Sequence, residues 1–516
     1  MKLLLFLVTT IVAGISVIHC TESGPDPNKA KLIIIGAGPS GIAAATKLVT
    51  NGEEDFIILE AENRIGGRVH TVPYEGDTSI DIGAQFIDGQ IGNPIWEMAV
   101  EHNLASNESC EENKNLVFFN SSGEPIDQKD SQTLWTIVDK STYANDDKEM
   151  ENYNGSLGDY VWEKVRKELT NNASLSHLLS SPRFEQMLDY FGKMENSVDA
   201  SDSWFETSAK GIALYDNLDG CGVQWKKGGY GNILKLLMKQ LPGQTPIDLS
   251  KKIILNKEVS KINWTDPKSV IIECADGTSY TGEKALITVS LGVLKTKPNL
   301  FVPQLPDWKT NAIENVHFGT LNKIFLRFPH KWWPVDLVGI NLVWTKHDEE
   351  TLFKEVGGVD GRPWVNDISG FYSSTEDPLT LLGWIPGPSA RYMETLTDTQ
   401  VGIDSMKLLR HFLPNFTIPE PTRIIKSTWS TNPHFKGSYS SRTVKTEKAN
   451  TSQAELAKPI VNGEGKPVLM FAGEATNPLH FGTVHGAVET GWREADRISG
   501  VPLQSPLAKR ARFFQR

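Results

Sequence analysis

The chain has 516 residues, of which 39% are hydrophobic and 22% are charged, and its formal net charge is −11. These proportions are those of a globular protein with a sizeable core and exclude a disordered chain, and the length predicts about two to four domains. The negative charge is spread along the chain without an acidic tail, so it argues against nucleic acid as a partner and is compatible with a cationic ligand.

Residues 1–20 have the layout of a secretory signal peptide. Lys2 precedes an apolar run from Leu3 to Ile18, and cleavage is predicted near Cys20. The run is shorter than the roughly 20 apolar residues that a membrane-spanning helix needs, and no later segment qualifies. We therefore predict a secreted, extracellular protein without a transmembrane span; an uncleaved anchor is the alternative.

Seven Asn-x-Ser/Thr sequons support the secretory route, because this is the acceptor pattern for N-glycosylation on protein surfaces. They are Asn107, Asn120, Asn154, Asn172, Asn263, Asn415 and Asn450.

Three cysteines, Cys110, Cys221 and Cys274, remain beyond the predicted cleavage site. Their spacing matches neither a metal site nor a disulfide framework, and one disulfide at most can form. We expect core or free thiols and no bound metal.

Residues 31–61 predict a dinucleotide-binding unit. KLIII is typical of a strand buried in a parallel sheet. GAGPSG follows, then a helix that stops at Gly52, then the strand FIILE, which ends on an acid about 20 residues after the last motif glycine.

Each part of this unit has a physical role. Gly36 permits a tight turn, Gly38 lets the backbone approach a pyrophosphate at the helix N-terminus, and Gly41 lets the helix pack closely on the strand. The carboxylate of Glu60 accepts hydrogen bonds from ribose hydroxyls. These features fit NAD and FAD equally. The predicted nucleotide contacts are Gly36, Ala37, Gly38, Pro39, Ser40, Gly41, Glu60 and Ala61.

The next segment, Arg64-Ile-Gly-Gly-Arg68, resembles the signature of the flavin-dependent amine oxidases. The resemblance implies FAD as the cofactor. It also implies that Gly66 and Gly67 let the chain turn beneath the pyrophosphate and that Arg68 helps to hold the cofactor. An ordinary tight turn is the alternative.

Residues 81–94, DIGAQFIDGQIGNP, resemble the segment of that family that lies against the flavin ring. The resemblance places Gly83, Ala84 and Gln85 at the cofactor and Phe86 on the substrate side. Asp88 departs from the related branches, which carry histidine or glutamate at this position. A carboxylate here could pair with a substrate ammonium and help to position it; the alternative is that the shorter aspartate has no such role.

Residues 254–290 alternate apolar and polar residues between turn signals and predict antiparallel strands. By resemblance, the backbone at Val259 meets the adenine, and Trp429 in the segment 427–440 lies near the flavin.

The segment 321–334 contains Lys323 in the sequence Lys-Ile-Phe. In the family this lysine hydrogen-bonds a water that bridges to flavin N5. Burial lowers the pKa of a lysine, which makes a neutral, proton-accepting form accessible. The alternative is a surface lysine at a strand end.

Aromatic side chains suit a thin cationic substrate, and the candidates by motif position are Phe86, Trp384 and Tyr439. Thr483 stands where some polyamine oxidases place a tyrosine, so the aromatic clamp is expected to be incomplete.

The C-terminal part predicts a strand, PVLMF, which runs into Gly473 and Glu474, and later a helix that begins near Val484. By resemblance Gly473, Glu474 and the backbone around Thr483 and Val484 contact the cofactor. The positive helix end would stabilise an anionic reduced ring. His485 is expected to be structural rather than a catalytic base.

The ordered series of motifs is most similar to the polyamine oxidases, in their acetylpolyamine and spermine oxidase branch. The resemblance implies an α/β fold with a Rossmann-like FAD-binding domain built from residues 29–110, 222–300 and 425–500. An α+β substrate-binding domain is inserted from residues 111–221 and 301–424, and residues 501–516 form a tail.

The implied reaction converts a polyamine and O2 into an aldehyde, a shorter amine and hydrogen peroxide. No cysteine lies in 474–486, where the monoamine oxidases tether their flavin, so FAD is expected to be non-covalent. Two alternatives stay open. One is another secreted flavin oxidase, acting on L-amino acids or monoamines, and the other is an inactive FAD-containing binding protein. The sequence does not indicate an oligomeric state.

Overall fold

The computed structural model describes residues 26–105, 116–143, 148–335 and 337–503. In these ranges the strands are β1 (Lys29–Ile35), β2 (Phe56–Leu59), β3 (Thr71–Pro73), β4 (Ser79–Asp81), β5 (Phe86–Ile87), β6 (Leu116–Asn120), β7 (Val223–Gln224), β8 (Ile253–Ile254), β9 (Val259–Asn263), β10 (Val270–Cys274), β11 (Ser279–Ile287), β12 (Phe301–Val302), β13 (His317–Gly319), β14 (Leu321–Arg327), β15 (Gly339–Val343), β16 (Gly358–Val359), β17 (Arg362–Pro363), β18 (Gly370–Ser373), β19 (Thr380–Pro386), β20 (Arg423–Lys426), β21 (Tyr439–Ser441), β22 (Ile460–Val461) and β23 (Pro467–Phe471).

The α-helices in the same ranges are α1 (Pro39–Thr50), α2 (Pro94–Glu101), α3 (Gln128–Tyr143), α4 (Lys148–Glu151), α5 (Leu157–Asn171), α6 (Pro182–Asp199), α7 (Ala209–Ala213), α8 (Asn232–Leu237), α9 (Leu291–Thr296), α10 (Asp307–Asn315), α11 (Lys346–Thr351), α12 (Gly387–Glu394), α13 (Asp398–Phe412), α14 (Val444–Lys448), α15 (Gln453–Ala457) and α16 (Val484–Ile498). Short 3₁₀ turns occur at Ser176–Ser180, Trp364–Asp367 and Glu474–Thr476.

The larger sheet has nine strands, with the order β12-β9-β10-β11-β1-β2-β8; β23 also pairs with β11, and β22 with β23. β1 is parallel to both β2 and β11, and its residues 32–35 are buried, which confirms the strand predicted from KLIII. β10 is antiparallel to both β9 and β11, as predicted for 254–290. The mixed sheet with helices on it confirms the predicted α/β class.

Helices α1 and α16 pack on each other beside β1, although they come from opposite ends of the chain. The contact is close because small residues line it: a Cβ placed on Gly491 would lie 2.2 Å from the Ser40 carbonyl oxygen. The C-terminal helix is thereby held against the predicted nucleotide turn.

The second sheet has six strands, in the order β20-β14-β19-β18-β15-β6. Helices α3, α5 and α6 pack together beside it around a separate apolar core. β20 spans the predicted domain boundary at 424–425, and β12, which belongs to the nine-stranded sheet, begins just after residue 300. The predicted domain limits therefore do not coincide with the boundaries between the two sheets, and they stay predictions.

The expectation that every cysteine is a core or free thiol is wrong for Cys221, which is disulfide-bonded. Cys274 is a buried free thiol, as expected, and Cys110 lies outside the described residues. Spacing alone identified no pair, because a disulfide requires two cysteines whose backbones the fold places within bonding distance.

One sequon, Asn120, does not have the surface position expected of a glycosylated asparagine. This residue ends β6 with 8% exposure, and its side-chain oxygen accepts hydrogen bonds from the backbone N–H groups of Ser122 and Glu124. Asn263 is half-buried, and Asn107 and the predicted signal segment 1–20 lie outside the described residues. The remaining four sequons are exposed: Asn154, Asn172, Asn415 and Asn450.

Across the ranges that the structure covers, none of the helices combines the length and the apolar composition needed to cross a membrane.

Candidate active site

The predicted nucleotide turn has the geometry that its glycines suggested. Gly36 adopts a φ of +110°, and a Cβ on Gly41 would lie 2.1 Å from the Gly36 carbonyl oxygen. A Cβ on Gly38 would meet nothing within 4 Å. Gly38 is also the N-cap of α1, and no side chain caps this helix end. The turn therefore leaves open space before free backbone N–H groups, which is the arrangement that binds a phosphate.

Glu60 follows β2 directly and is 6% exposed. Its two carboxylate oxygens accept hydrogen bonds from the backbone N–H groups of Ala37, at 2.7 Å, and Glu62, at 2.8 Å. Burial raises the pKa of this carboxyl, and the two backbone hydrogen bonds oppose the shift. Each oxygen retains a further acceptor position, so Glu60 can both fix the turn and accept a ribose hydroxyl.

The second glycine pair lies against the first turn. Gly66 and Gly67 have φ values of +104° and +56°, and a Cβ on Gly67 would lie 3.4 Å from the Cα of Gly38. Arg64 holds this turn by donating to the Gly67 carbonyl oxygen at 2.8 Å. The prediction that the chain turns close to the pyrophosphate position agrees with this geometry, and the role of Arg64 was not anticipated.

Arg68 and Glu474 meet at the same place. The Arg68 guanidinium donates to a Glu474 oxygen at 2.9 Å and to the Ser438 carbonyl oxygen at 2.6 Å. The other Glu474 oxygen accepts from the Ser440 hydroxyl at 2.6 Å and from the Gly482 N–H at 2.9 Å. Three distant segments of chain therefore converge on one buried carboxylate.

A cavity beside the first turn fits the adenine end of a dinucleotide. It is lined, among others, by Gly36, Ala61, Glu258, Val259, Val293 and His434. Val259 was predicted at this position. Glu258 and His434 were not, because nothing in their local sequence marks them as binding residues.

Lys323 lies in the middle of β14 and is 7% exposed. Its ammonium donates to the carbonyl oxygens of Asp81 and Gly83, both at 2.8 Å, and to the Gln85 side-chain oxygen at 2.9 Å. Burial lowers the pKa of Lys323 to about 8, against the opposing charges of Asp81 and Glu376. The alternative of a surface lysine is thereby wrong, and the segment 83–85 lies directly beside it.

The predicted substrate residues Phe86 and Trp384 are close to each other and to Lys323. Their ring centroids are 6.0 Å apart, and Trp384 is the cross-strand partner of Lys323. Tyr372 extends the aromatic wall, with its ring 5.2 Å from that of Trp384. Tyr439 is half-buried, and its hydroxyl donates to the Ser197 carbonyl oxygen in the last turn of α6 at 2.7 Å.

Asp88 combines an accessible side chain with densely packed surroundings. Its side chain is exposed, yet the surrounding protein atoms raise its pKa to about 6. An accessible side chain amid dense protein is recessed below the outer surface, so both properties hold at once. No basic side chain contributes to the pKa shift, so the carboxylate can accept a cationic partner.

Asp199, which the sequence did not indicate, is a second carboxylate whose charge acts on the same tyrosines as that of Asp88. It ends α6 with 7% exposure, and its Oδ2 has no hydrogen-bond partner among the described residues. Burial raises the pKa of Asp199 to about 7. The Thr207 hydroxyl offsets part of this shift, although its geometry falls short of a hydrogen bond.

The charges of both carboxylates act on two tyrosines. Burial raises the pKa of Tyr439, and the charges of Asp199 and Asp88 raise it further; the same two charges act on Tyr215. Both tyrosines therefore lie within electrostatic reach of Asp88 and Asp199. A local pattern could not reveal Asp199, because it sits at a helix end about 110 residues from Asp88 and only the fold brings the two together.

The remaining predicted residues have defined positions. The Thr483 hydroxyl caps α16 by accepting from the Gly486 N–H at 3.0 Å, and Val484 begins this helix. Trp429 is buried, and its backbone N–H donates to the side-chain oxygen of Asn322, the neighbour of Lys323, at 3.3 Å. His485 is 2% exposed, and burial lowers its pKa to about 3, so it is neutral, in keeping with a structural role.

These residues fit a flavin dinucleotide. The cavity beside Val259 would hold the adenine, the open position at Gly38 the pyrophosphate, and the segment bonded to Lys323 the flavin ring. Arg68 supplies a cation, and α16 directs its N-terminus to the same edge.

Comparisons with known proteins agree with this assignment. The family model described as flavin containing amine oxidoreductase matches residues 39–499. Human peroxisomal N(1)-acetyl-spermine/spermidine oxidase is 27% identical, with 95% of this chain and 98% of that protein aligned. The probable polyamine oxidase 5 of Arabidopsis thaliana is also 27% identical, over 91% of this chain and 98% of that protein.

A solved structure of a putrescine oxidase double mutant with redesigned cofactor binding superposes with a TM-score of 0.63. The match covers 91% of this chain and 99% of that chain at 17% sequence identity, and it shows a shared fold.

Proposed function

This chain belongs to the flavin containing amine oxidoreductases and is an FAD-dependent amine oxidase, and we propose that its substrates are polyamines such as spermine, spermidine or their N-acetyl forms. The products would be an aldehyde, a shorter amine and hydrogen peroxide. The names of the human and Arabidopsis relatives support this substrate class.

One observation carries the proposal: the charges of two carboxylates, Asp88 and Asp199, both act on Tyr439, and an aromatic ring pair lies beside Lys323. We infer that these groups line the substrate cavity. A polyamine is a thin aliphatic chain with several cationic nitrogens. Aromatic rings attract such cations through their faces, and carboxylates attract them by charge. Tyr439 and Trp384 offer the rings, and the two acids offer the charges.

The residues would have separate roles in cofactor binding and substrate binding. Gly38, Arg68 and Glu474 would hold the cofactor, and FAD when bound supplies the two-electron acceptor that oxygen restores with release of hydrogen peroxide. Asp88 and Asp199 would anchor protonated nitrogens on either side of the reacting one. Hydride then leaves the carbon beside a neutral nitrogen, and water hydrolyses the resulting imine to the aldehyde and the shorter amine.

The same two carboxylates disfavour the first alternative function. An L-amino acid brings its own carboxylate, which Asp88 and Asp199 would repel, and Arg68 is already paired with Glu474. A monoamine carries one charge and would leave one carboxylate without a partner. An inactive binding protein is disfavoured because the buried Lys323 lies beside the segment expected at the flavin ring.

We also propose that the protein is secreted and N-glycosylated and that its FAD is non-covalent. The apolar segment at residues 3–18 and the four exposed sequons support secretion. The free cysteine within the described residues, Cys274, lies in β10 rather than beside the predicted ring position.

A substrate panel tests the function. Peroxide release would be measured on purified, FAD-loaded protein with spermine, acetylspermine, spermidine, tyramine and leucine. We expect kcat/KM to be highest for substrates with two or more amine nitrogens. Turnover of leucine or tyramine alone would refute the polyamine assignment, and no turnover of any amine by a yellow protein would favour the binding-protein alternative.

A further inference from the structure

The Lys323 ammonium is saturated with hydrogen-bond acceptors from the protein. Its nitrogen lies 2.8 Å from the carbonyl oxygens of Asp81 and Gly83 and 2.9 Å from the Gln85 side-chain oxygen. A lysine ammonium has three N–H donors and no acceptor, so these contacts use every donor. A neutral amine has one N–H fewer and would leave one of the three oxygens without a hydrogen bond.

Two of the three acceptors are fixed in the backbone. The Ile82 N–H donates to the His70 carbonyl oxygen at 2.9 Å, and the Ala84 N–H donates to the Arg68 carbonyl oxygen at 3.2 Å. A Cβ on Gly83 would lie 1.8 Å from that Arg68 oxygen, so the strand-like segment has no room to shift toward it. The third acceptor differs, because it belongs to the rotatable side chain of Gln85.

Gln85 stands between the cofactor and the substrate sides of the site. Its neighbour Phe86 pairs with the Trp384 ring at 6.0 Å, and Trp384 is the cross-strand partner of Lys323. Gln85 itself is half-buried. If the carboxamide rotates away, the third N–H of Lys323 loses its acceptor and faces the space that the carboxamide oxygen occupied.

We propose that Gln85 is a positioning residue for Lys323: its carboxamide oxygen holds the third N–H of the ammonium, and rotation of this side chain releases that N–H toward the substrate cavity. The proposal rests on the proposed amine oxidation, in which Lys323 serves the reacting centre. It makes Gln85 the residue that sets both the direction and the charge of Lys323, whereas Asp81 and Gly83 hold it in place.

The other charged groups around Lys323 are fixed by contacts that do not involve Gln85. The Asp81 carboxylate accepts from the Tyr230 N–H at 3.0 Å, and the Glu376 carboxylate accepts from the Ser79 hydroxyl at 2.8 Å. Asp81 and Glu376 are the ionisable groups whose charges act on Lys323. Their influence should stay constant when Gln85 alone is changed.

The test uses two substitutions of similar size and opposite effect. In Gln85→Leu the ammonium loses an acceptor, which favours the neutral amine; in Gln85→Glu it gains a negative neighbour, which favours the ammonium. The pKa of Lys323 would be read from its side-chain ¹³C resonance in FAD-loaded protein with labelled lysine, assigned by its absence in Lys323→Met. We expect a decrease of about one unit for Leu and an increase of about one unit for Glu.

Amine-dependent flavin reduction supplies the second measurement. The pH at which its rate is half-maximal should move in the same two directions. Gln224→Leu is the matched control, since Gln224 is the cross-strand partner of Phe86 and binds the Thr375 hydroxyl instead. It should leave the Lys323 pKa unchanged. Should Gln85→Leu fail to fold, Gln85→Asn, whose shorter side chain retracts the acceptor, should shift the pKa in the same direction.

Shifts of both variants in one direction, or shifts no larger than that of Gln224→Leu, would overturn the proposal. The resonance is measured without amine, so it reports on Gln85 even if no polyamine proves to be a substrate. If no polyamine is turned over but the two variants shift the resonance in opposite directions, the proposed function is refuted and the role of Gln85 is supported. If polyamines are turned over but the resonance does not shift in opposite directions, the function is supported and the role of Gln85 is refuted.

Discussion

Arg68 and Glu474 are 406 residues apart in the chain and form an ion pair of 2.9 Å at the edge of the nine-stranded sheet. Glu474 is also bonded to Ser440 and Gly482, and Arg68 to Ser438. The carboxylate thus joins the turn after β2, the segment around β21 and the approach to α16. Since the predicted cofactor contacts lie on all three, we expect the pair to couple FAD binding to the stability of the fold.

Glu474→Gln should weaken both properties. The amide keeps the shape of the carboxylate but loses its charge and presents a donor to Arg68. We expect a loss of about 2 kcal/mol in the free energy of unfolding, the usual size for a hydrogen bond to a charged group, and weaker FAD binding. Denaturant unfolding and flavin fluorescence titration would measure the two. Glu464→Gln is the control, because the Glu464–Lys466 pair is about 70% exposed on both sides and should contribute little. Equal effects of both variants would contradict the assigned role.

Asp199→Asn should change substrate preference rather than turnover. Removing one cavity charge weakens the attraction for a second ammonium, so we expect KM for spermine to rise about tenfold, equivalent to roughly 1.4 kcal/mol, with little change in kcat. KM for a monoamine should change less, because its single charge can pair with Asp88. Steady-state peroxide assays at pH 8 would measure both.

Glu185→Gln is the control for this effect, since it removes an exposed charge near the other end of α6. It should leave both KM values unchanged. A proportional rise of KM for spermine and for the monoamine would show that Asp199 acts through general disruption of the cavity.

Asp199 should also make stability depend on pH. Its pKa is raised to about 7 in the folded protein, so the folded state holds this proton more tightly than the unfolded chain. The resulting stability is fully present below about pH 4, the pKa of an unfolded aspartate, and is lost as the pH rises to about 7. Relative to Asp199→Asn, the wild type should lose at most roughly 1.4 kcal/mol per pH unit in this window.

Unfolding of both proteins in denaturant between pH 4.5 and 8 would measure this difference. The pKa of Asp248 is shifted in the opposite direction, because the hydrogen bond from the backbone N–H of Ser250 lowers it. The contribution of Asp248 is fully present above about pH 4 and is lost only at lower pH, so the difference between the wild type and Asp248→Asn should stay flat across the measured range. A flat difference for Asp199→Asn would mean that its carboxyl titrates normally.

The nucleotide turn could be predicted from the sequence, because the roles of Gly36, Gly38 and Gly41 are local and follow from backbone geometry. Lys323 and Trp384 could be found by resemblance, since short motifs surround them. Asp199 could not, because its relation to Asp88 exists only after α6 packs against the site. The disulfide of Cys221 and the acceptors of Lys323 could not be predicted either, because these contacts depend on the tertiary fold. The acceptors of Lys323 come from a segment about 240 residues away.

The sequons should be used selectively if the chain is secreted. We expect glycans at Asn154, Asn172, Asn415 and Asn450, whose side chains are exposed, and none at Asn120, which is 8% exposed and bonded to its own turn. A glycan on Asn120 would have to break these contacts and leave buried groups unpaired. Mass spectrometry after enzymatic deglycosylation in ¹⁸O water would mark the occupied sites. Occupancy of Asn120 in folded, yellow protein would contradict the burial of this residue.

Two alanine substitutions in the same turn should separate folding from cofactor binding. In Gly41→Ala the new methyl would lie 2.1 Å from the Gly36 carbonyl oxygen, so α1 must move away from β1 and the Tm should fall. In Gly38→Ala the methyl meets no protein atom within 4 Å, and the φ of −72° is one that alanine adopts readily. The Tm of the FAD-free protein should therefore stay unchanged.

Gly38→Ala should nevertheless bind FAD more weakly, by about tenfold or more, because its methyl enters the space before the α1 N-terminus where the pyrophosphate would approach the backbone. Thermal unfolding of the FAD-free variants and fluorescence titration with FAD would measure the two properties separately. Unchanged FAD affinity in Gly38→Ala would place the pyrophosphate elsewhere, whereas a fall in Tm equal to that of Gly41→Ala would mean that the open space at Gly38 is needed for folding itself.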